Sequence, residues 1–473
     1  MSKINKIAKN LLSVGLSSLV AQLLTFLMIA YYARILSIEG FGRINLAQSI
    51  ITYSTMITLF GFQTLGTREV SKNKNNKEEL LGNIIITRLI VALICFFMVM
   101  AIAFTTNKGV IFRNILIVYG LTLFPLAFNI DWFYSGIQQM QHNAIYNVLK
   151  SGIPFLLICI LFRSEKNIIF IPIFTLCGLL FAAIYHIILL KRKTLFKISL
   201  KINKKQIAKY VKLSIPFLVS GLLSMINCNV DSLIIGFTRS EYELGIYSSA
   251  YKIIFFLTNL IAVIFTPFFP LLISYYHEKD INNLEKVVEN LCKIVVLIGV
   301  PVLIGGIILS KEIIILLFGQ KYMKAYVPFI ILLVYILVLF MRENYGYSLN
   351  AWNKENKYLK SVIISALTNL ILNLIFIPIY GIIAASITTL VSEVLNFFIM
   401  RKYSIKIVKT NYITNFIKVI IPVVLMAIVV LGLKYFHINV MINIVLAIIV
   451  YFISIIITRY VTIDELKGFI KNS

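Results

Sequence analysis

The sequence predicts an all-α polytopic membrane protein with about fourteen transmembrane helices. Hydrophobic residues make up 60% of the 473 positions, charged residues only 14%, and the mean hydropathy is +0.92. Soluble domains contain roughly 45–50% apolar and about 25% charged residues. A soluble enzyme, a disordered tail and a disulfide-stapled secreted domain are therefore excluded, and what remains is a chain that crosses the bilayer many times.

Fourteen apolar runs approach or exceed the length of about 20 residues that a helix needs to cross the hydrocarbon core. In chain order the predicted spans are Leu11–Ala33, Leu46–Leu65, Ile84–Phe104, Asn114–Tyr134, Tyr146–Phe162, Ile168–Leu190, Leu213–Phe237, Ser248–Tyr275, Leu291–Leu309, Tyr326–Met341, Ser361–Ile377, Ile382–Met400, Val419–Leu433 and Met441–Ile457.

The strong positive charge is explained by membrane orientation. The chain has 45 Lys and Arg against 19 Asp and Glu, a net charge of +26. With fourteen spans and an inside N-terminus, most of the basic residues fall in cytoplasmic loops, as the positive-inside rule requires. We therefore predict a multi-pass membrane protein with both termini in the cytoplasm, and no nucleic-acid partner.

A basic segment, residues 191–212, divides the chain into two similar halves. Gly42–Ile50 follows the first span as Gly245–Ile253 follows the seventh, and a Leu-Lys-Ser triplet opens both the fifth and the eleventh span. These matches predict parallel repeats, an arrangement in which transporters bind substrate at the repeat interface. The predicted domains are a six-helix lobe (1–190), a basic linker (191–212), a second six-helix lobe (213–400), and two peripheral helices with a tail (401–473).

Polar side chains recur at helical spacing along several spans and mark faces turned away from lipid. Each stripe is compatible with interhelical hydrogen bonding or with a shared central cavity, and stripes on both the first and seventh spans favour the cavity. The candidate cavity residues are Gln22, Gln48, Ser224, Asn227, Ser365 and Thr389.

Ionisable residues at membrane depth are costly and therefore few. They are either structural ion pairs and interfacial side chains, or an anion site with titratable carboxylates beside it. Asp231 and Lys252 lie at comparable depth and could pair, Glu393 is the most isolated, and the histidines are interpreted as isolated packing or interfacial residues. The candidates are Arg88, Lys150, Lys252, Asp131, Asp231 and Glu393.

Enzyme and cofactor motifs are missing from the sequence. There is no GxxxxGK[ST] for nucleotide hydrolysis, no HExxH zinc motif and no GxSxG nucleophile motif. The five cysteines have no metal-ligand or disulfide spacing. The predicted outer loops are short, which disfavours a membrane glycosyltransferase or polysaccharide polymerase. We expect a non-enzymatic protein without metal or cofactor.

Several short motifs resemble the bacterial polysaccharide flippases, the Wzx-type O-antigen and capsule exporters of the multidrug/oligosaccharidyl-lipid/polysaccharide (MOP) superfamily. The resemblance runs over essentially the whole chain. The motifs that carry it are Tyr31–Arg34, Gly40–Gly42, Phe60–Glu69, Asp131–Gly136, Asn229–Asp231 and Gly245–Ile253.

The resemblance implies transport of an undecaprenyl-pyrophosphate-linked oligosaccharide from the inner to the outer leaflet, by alternating access of two lobes. Arg88, Lys150 and Lys252 then become the candidate contacts of the pyrophosphate or an acidic sugar. Asp131, Asp231 and Glu393 become the candidates for ion coupling. Membrane lipid and polysaccharide polymerase or ligase proteins are the further expected partners.

Two other functions stay open. An ion-coupled multidrug and toxin exporter of the same superfamily would place acidic residues in its cavity for cationic substrates, whereas acidic and basic groups are mixed here. A non-transporting scaffold of a polysaccharide assembly complex is the alternative from another class, and it should tolerate substitution of the cavity charges.

Overall fold

The computed structural model describes residues 3–72, 77–193 and 204–460, and all regular structure in these ranges is helical. The α-helices are α1 (Lys3–Ile35), α2 (Ile38–Leu59), α3 (Phe62–Lys72), α4 (Lys77–Thr105), α5 (Gly109–Leu121), α6 (Leu123–Ala127), α7 (Asp131–Gly136), α8 (Gln141–Leu161), α9 (Phe170–Lys193), α10 (Lys204–Thr238), α11 (Glu241–Thr258), α12 (Leu260–Phe265), α13 (Phe269–His277), α14 (Ile281–Ile308), α15 (Ser310–Phe318), α16 (Tyr326–Ala351), α17 (Glu355–Ser404), α18 (Tyr412–Tyr435) and α19 (Val440–Ile457).

Within the described residues, 11 helical segments are long and apolar enough to cross a membrane. The predicted second span is α2, and the predicted eighth span is divided among α11, α12 and α13. The long helix α17 contains two predicted spans, because Gly381 adopts φ 63° and ψ −141° and breaks it in the middle. The all-helical fold with about fourteen spans is therefore confirmed.

The tenth span extends beyond its predicted end. The apolar run stops at Met341, yet α16 continues to Ala351 and stays largely buried. The prediction was wrong there because Arg342 and Glu343 were assigned to a loop on account of their charge. Their side chains neutralise each other inside the helix bundle, so the charge does not end the span.

By internal contacts the chain forms two compact units, Met1–Gly245 and Ile246–Ser473. In the first unit, α1 packs along α8 and α8 along α9, while α2 packs on α4, α5 and α10. The fourth predicted span is broken: α5, α6 and α7 succeed one another, with short interruptions before Leu123 and Asp131. The predicted lobe boundary at the basic linker stays a prediction.

The first of the two repeat glycines contacts the second. A Cβ on Gly42 would meet the backbone carbonyl of Glu241 and would lie 2.9 Å from the backbone nitrogen of Gly245. Arg43 adds an ion pair at 2.7 Å to the Glu241 carboxylate. The start of α2 and the α10–α11 turn therefore meet closely, at positions where only glycine leaves room.

In the second unit, α16 packs on α17, and α14 packs on both α16 and α18. The C-terminal helix pair, predicted to be peripheral, is fastened to α14. Tyr451 donates to the carbonyl of Leu297 at 2.8 Å, and Lys434 donates to the carbonyl of Ile308 at 2.6 Å. Most of the remaining α18 and α19 surface is exposed and apolar, as expected of a face in contact with lipid.

Candidate functional site

Two of the motifs that carry the family resemblance pack against each other in the first unit. The segment Phe60–Glu69 forms the α2–α3 turn and most of α3, and Asp131–Gly136 forms α7. A Cβ on Gly66 would lie 2.7 Å from Cδ2 of Trp132, so glycine lets α3 approach the indole ring. Thr67 donates to the carbonyl of Trp132 at 3.2 Å. The two motifs thus build one packed element at the predicted cytoplasmic end.

Asp131 begins α7 and is held by neutral donors. Its Oδ1 accepts from the backbone N–H of Trp132 at 2.7 Å, and its Oδ2 accepts from Nε2 of Gln63 at 3.1 Å. Asn143 of α8 donates to the carbonyl of Asp131 at 2.9 Å. The carboxylate is half-buried. It therefore lies at the junction of α3, α7 and α8.

Arg88 of α4 is completely buried behind this junction. Its Nη1 donates to the carbonyl of Asn129 at 2.6 Å, a carbonyl left without a helical partner between α6 and α7. Among the described residues, its Nε and Nη2 have no hydrogen-bond partner. Two unused donors on a buried cation are unusual, because leaving such groups unpaired is costly.

Lys150 of α8 supplies the second cation, and unlike Arg88 its side chain is exposed. Asp131 interacts electrostatically with both cations. Tyr146, one turn before Lys150, is buried, and its hydroxyl has no hydrogen-bond partner within the described ranges. The structure thus brings three predicted residues, Arg88, Asp131 and Lys150, into one cluster, which we call the N-unit charge cluster.

The histidines of the first unit are not isolated. His186 stacks on Tyr146 with ring centroids 4.4 Å apart and an interplanar angle of 14°. Tyr134 contacts both His142 and His186, at centroid distances of 5.1 Å and 5.2 Å. Residues far apart in sequence form this aromatic group, which is why sequence spacing failed to detect it. It packs directly beside the N-unit charge cluster through Tyr146.

Glu393 of the second unit is paired, which contradicts its description as the most isolated carboxylate. Arg342 donates from Nε to Glu393 at 2.5 Å and from Nη1 to Glu343 at 2.8 Å. Arg342 is 8% exposed and Glu393 6%. Sequence reasoning missed Arg342 and Glu343, and the sign it overlooked was that the polar stretch that follows them, Asn344–Asn350, contains no proline to end the helix.

The two halves of α17 are joined by side-chain hydrogen bonds. Ser365 donates to the carbonyl of Ser392 at 3.0 Å, and Asn369 donates to the Ser392 hydroxyl at 3.2 Å. Ser361 donates to Oδ1 of Asn396 at 2.7 Å. The stripes on these two spans therefore face each other and act, in this structure, as interhelical hydrogen bonds.

The other predicted cavity residues are divided between buried and accessible positions. Ser224 is exposed, Gln22 is half-buried, and Gln48 donates to the Tyr119 hydroxyl at 3.0 Å. Thr389 is buried, and its hydroxyl finds no hydrogen-bond partner among the residues that the structure describes. The side chain of Asn227 lies outside the described residues.

The remaining charged candidates, Asp231 and Lys252, lie in different units. Asp231 is 3% exposed, and its Oδ1 accepts from the backbone N–H of Ser232 at 2.7 Å. It also interacts electrostatically with Tyr53 of α2, which donates to the carbonyl of Met225 at 3.2 Å. Lys252 is half-buried in α11. Their pairing stays a prediction.

Two family models match more than half of the chain each. The model described as polysaccharide biosynthesis protein matches residues 7–277, and the model described as lipid II flippase MurJ matches residues 147–452. Together they extend over both units and over the N-unit charge cluster.

Curated relatives point in the same direction. The chain is 26% identical to the capsular polysaccharide biosynthesis protein CapF of Staphylococcus aureus, over 81% of this chain and 96% of CapF. It is 23% identical to a putative O-antigen transporter of Shigella dysenteriae, over 52% and 62%, respectively. It is 24% identical to the probable low-salt glycan biosynthesis flippase Agl15 of Haloferax volcanii, but there it spans only 43% of the relative's length.

Solved structures share the fold. The inward closed conformation of lipid II flippase MurJ superimposes with a TM-score of 0.75 at 17% identity, covering 94% of this chain and 98% of MurJ. An inward-facing multidrug resistance MATE family transporter of the MOP superfamily gives 0.64 at 17% identity, covering 83% and 98%.

The fold defines the class as a multi-pass, all-helical membrane protein with the architecture shared by MurJ and MATE proteins. Within that class, the chain belongs to the polysaccharide biosynthesis protein family, among the polysaccharide flippases of the MOP superfamily.

Proposed function

We propose that this protein moves a polyprenyl-pyrophosphate-linked oligosaccharide, with undecaprenyl as the lipid, from the inner to the outer leaflet of the bacterial cytoplasmic membrane. The product would serve O-antigen, capsule or exopolysaccharide synthesis. The observation that carries the proposal is the N-unit charge cluster, in which exposed Lys150 and buried Arg88 stand within the membrane domain of a flippase-family chain. A cation at that depth is costly, and accessible Lys150 therefore needs a purpose such as binding a diphosphate.

The sugar part of the substrate requires a hydrophilic surface inside the membrane. Ser220 and Ser224 of α10 are exposed and lie one helical turn apart. Ser224 donates to the carbonyl of Ser220 at 3.1 Å, which leaves its oxygen free to accept from a sugar hydroxyl. We assign this face of α10 to the oligosaccharide.

The lipid part requires an apolar path, and the second unit contains a suitable cavity. It has a volume of about 410 Å³ between α14, α16, α18 and α19. Its lining is almost wholly apolar and includes Pro301, Gly305, Leu333, Met426 and Phe452. Isoprenoid carbons are compatible with such a lining, because burying apolar surface is favourable and no polar group is left unpaired.

Transport would proceed by alternating access driven by an ion gradient, with both termini in the cytoplasm. Asp131 and Asp231 remain candidates for coupling, whereas the Arg342 ion pair makes Glu393 the weakest of the three. Polymerase or ligase proteins would take the exported repeat unit.

Multidrug export is the second candidate, and one observation favours it. The cluster of Arg342 with Glu343 and Glu393 carries one excess negative charge, as a cation exporter would need. Both carboxylates are engaged by the guanidinium, however, so the charge offered to a cationic drug is small. A scaffold role is less favoured, because it gives no function to the costly charges buried in both units.

The test is a strain that lacks this gene and receives it back as wild type, Lys150→Ala, Lys252→Ala or Lys286→Ala. Lys286 is an exposed lysine at the start of α14 and serves as the control. We expect the deletion to accumulate lipid-linked repeat units and to lose surface glycan. Wild type and Lys286→Ala should restore both, and the other two should not. If the deletion strain instead keeps normal surface glycan and becomes more sensitive to cationic drugs, the protein is a drug exporter and not a flippase. If every variant restores export fully, the scaffold role is favoured.

A further inference from the structure

The N-unit charge cluster contains more hydrogen-bonding capacity than it uses. Arg88 donates one of its N–H groups to Asn129. Its Nε and Nη2 have no acceptor in the part of the chain that the structure describes, although the residue is completely buried. The carboxylate of Asp131 interacts with Arg88 electrostatically but makes no direct ion pair with it among the described contacts. The Asp131 carboxylate is the strongest acceptor in the cluster and the Arg88 guanidinium the strongest donor, yet no hydrogen bond joins them among the described contacts.

Asp131 is held instead by partners that are easily exchanged. Both of its oxygens accept from neutral donors, the Gln63 amide and the Trp132 backbone N–H. The Arg88 guanidinium carries a positive charge and the Gln63 amide does not, so at Arg88 the carboxylate would gain the attraction of an opposite charge in addition to a hydrogen-bond donor. If the Asp131 carboxylate moved from Gln63 to Arg88, it would form a stronger interaction and would accept a hydrogen bond from an N–H group of Arg88 that now has no partner among the described residues.

Lys150 is the member of the cluster that a ligand can reach, because its side chain is exposed whereas Arg88 is not. Asp131 acts on Lys150 as well, and lowers the positive potential that an approaching anion meets. Any anion that binds Lys150 must therefore compete with this carboxylate.

We propose that Asp131 is an internal counter-ion that opposes binding of the substrate's diphosphate to Lys150, and that Arg88 receives the carboxylate when the diphosphate arrives. This rests on the proposed function and gives the cluster three distinct roles. Lys150 touches the anion, Asp131 sets how tightly it binds, and Arg88 is a positioning residue that never touches substrate. The competition keeps the site weak enough to release its anion after transport.

The sign of the effect is what makes the inference testable. Removing the charge of Asp131 raises the net charge of the cluster from +1 to +2, with Arg88 and Lys150 both counted as cations. At an effective dielectric constant of about 20, one unit charge about 12 Å away changes the affinity for a singly charged anion by about tenfold, and a nearer charge changes it by more. Asp131→Asn should therefore bind pyrophosphate about tenfold more tightly, an improvement that damage to the fold would not produce.

The experiment is calorimetric titration of the purified full-length protein in nanodiscs with inorganic pyrophosphate. We expect Asp131→Asn to bind more tightly than wild type, and Lys150→Ala to lose most of the affinity. Arg88→Gln should bind more weakly, because Asp131 then stays with Lys150, and the double variant Arg88→Gln with Asp131→Asn should recover at least wild-type affinity. Glu69→Gln removes a carboxylate from α3 outside the cluster and should change nothing.

Unchanged or weakened binding by Asp131→Asn would overturn the inference, as would wild-type protein that binds no pyrophosphate. If Arg88→Gln does not fold, the inference is still tested by Asp131→Asn and Lys150→Ala, which should change pyrophosphate affinity in opposite directions. The titration needs neither a lipid-linked substrate nor transport. A failure of glycan export in the genetic test is thus distinguishable from a failure of the counter-ion inference.

Discussion

The buried ion pair of the second unit allows a prediction about stability that also decides the role of Glu393. Arg342 contacts two carboxylates, at 2.5 Å and 2.8 Å, from a position only 8% exposed. Removing one partner of a buried pair costs about 3–5 kcal/mol, because the other charge stays buried without compensation. Arg342→Ala is the severe case, since it leaves two carboxylates facing each other.

Glu393→Gln should be milder. The guanidinium keeps Glu343, and a glutamine oxygen at position 393 can still accept the N–H of Arg342. We expect a loss of about 1–3 kcal/mol, the usual penalty for weakening a buried hydrogen bond to a charged group. Combining Arg342→Ala with Glu393→Gln should recover part of the loss, because one of the two uncompensated carboxylates is then removed.

The assay is the midpoint of thermal unfolding of the purified protein in detergent, measured for wild type, the two single variants and the double variant. The predicted order of stability is wild type, Glu393→Gln, the double variant, then Arg342→Ala. Glu393→Gln as stable as wild type, or a double variant less stable than both singles, would refute the reasoning. If Glu393→Gln were stable but unable to export glycan, its predicted role in ion coupling would be strengthened.

Three further outcomes are expected. Gly66→Ala should lower the unfolding midpoint by the equivalent of about 1–3 kcal/mol, because its Cβ overlaps the neighbouring indole, whereas Gly432→Ala, with nothing within 4 Å, should not. Tyr451→Phe should cost about 1 kcal/mol of stability by deleting a buried hydrogen bond. Tyr146→Phe should be neutral or stabilising, since the Tyr146 hydroxyl has no partner among the described residues. Equal losses of stability in the two variants would contradict this. Gly305→Leu, which fills the apolar cavity, should reduce glycan export without lowering the midpoint, and a normal export rate would exclude the cavity as the lipid path.

Much of the architecture could be predicted from the sequence because the bilayer imposes simple rules. A run of about 20 apolar residues has to be a helix at membrane depth, since no water is there to satisfy the backbone. The break between the eleventh and twelfth spans was visible for the same reason: the apolar pattern is interrupted near Gly381, where the backbone takes a positive φ.

The candidate site could be predicted only in part from the sequence. Arg88, Lys150 and Asp131 stood out because ionisable residues are rare in spans, and the structure assembles them in one cluster. Ser365 stood out for its polarity but is used in a hydrogen bond between the halves of α17. Polarity on a helix face shows that a partner is needed, and it does not say whether that partner is substrate or protein.

The sequence by itself determined that this is an all-helical membrane protein with about fourteen spans and a handful of costly internal charges, because hydrophobic length and charge rarity are local properties. Only the tertiary structure decided which charges meet. Arg342 with Glu393, and His186 with Tyr146, are joined across 51 and 40 residues of sequence, respectively. Such pairs depend on how helices pack in three dimensions, and helix packing is not encoded in the pattern of any single span.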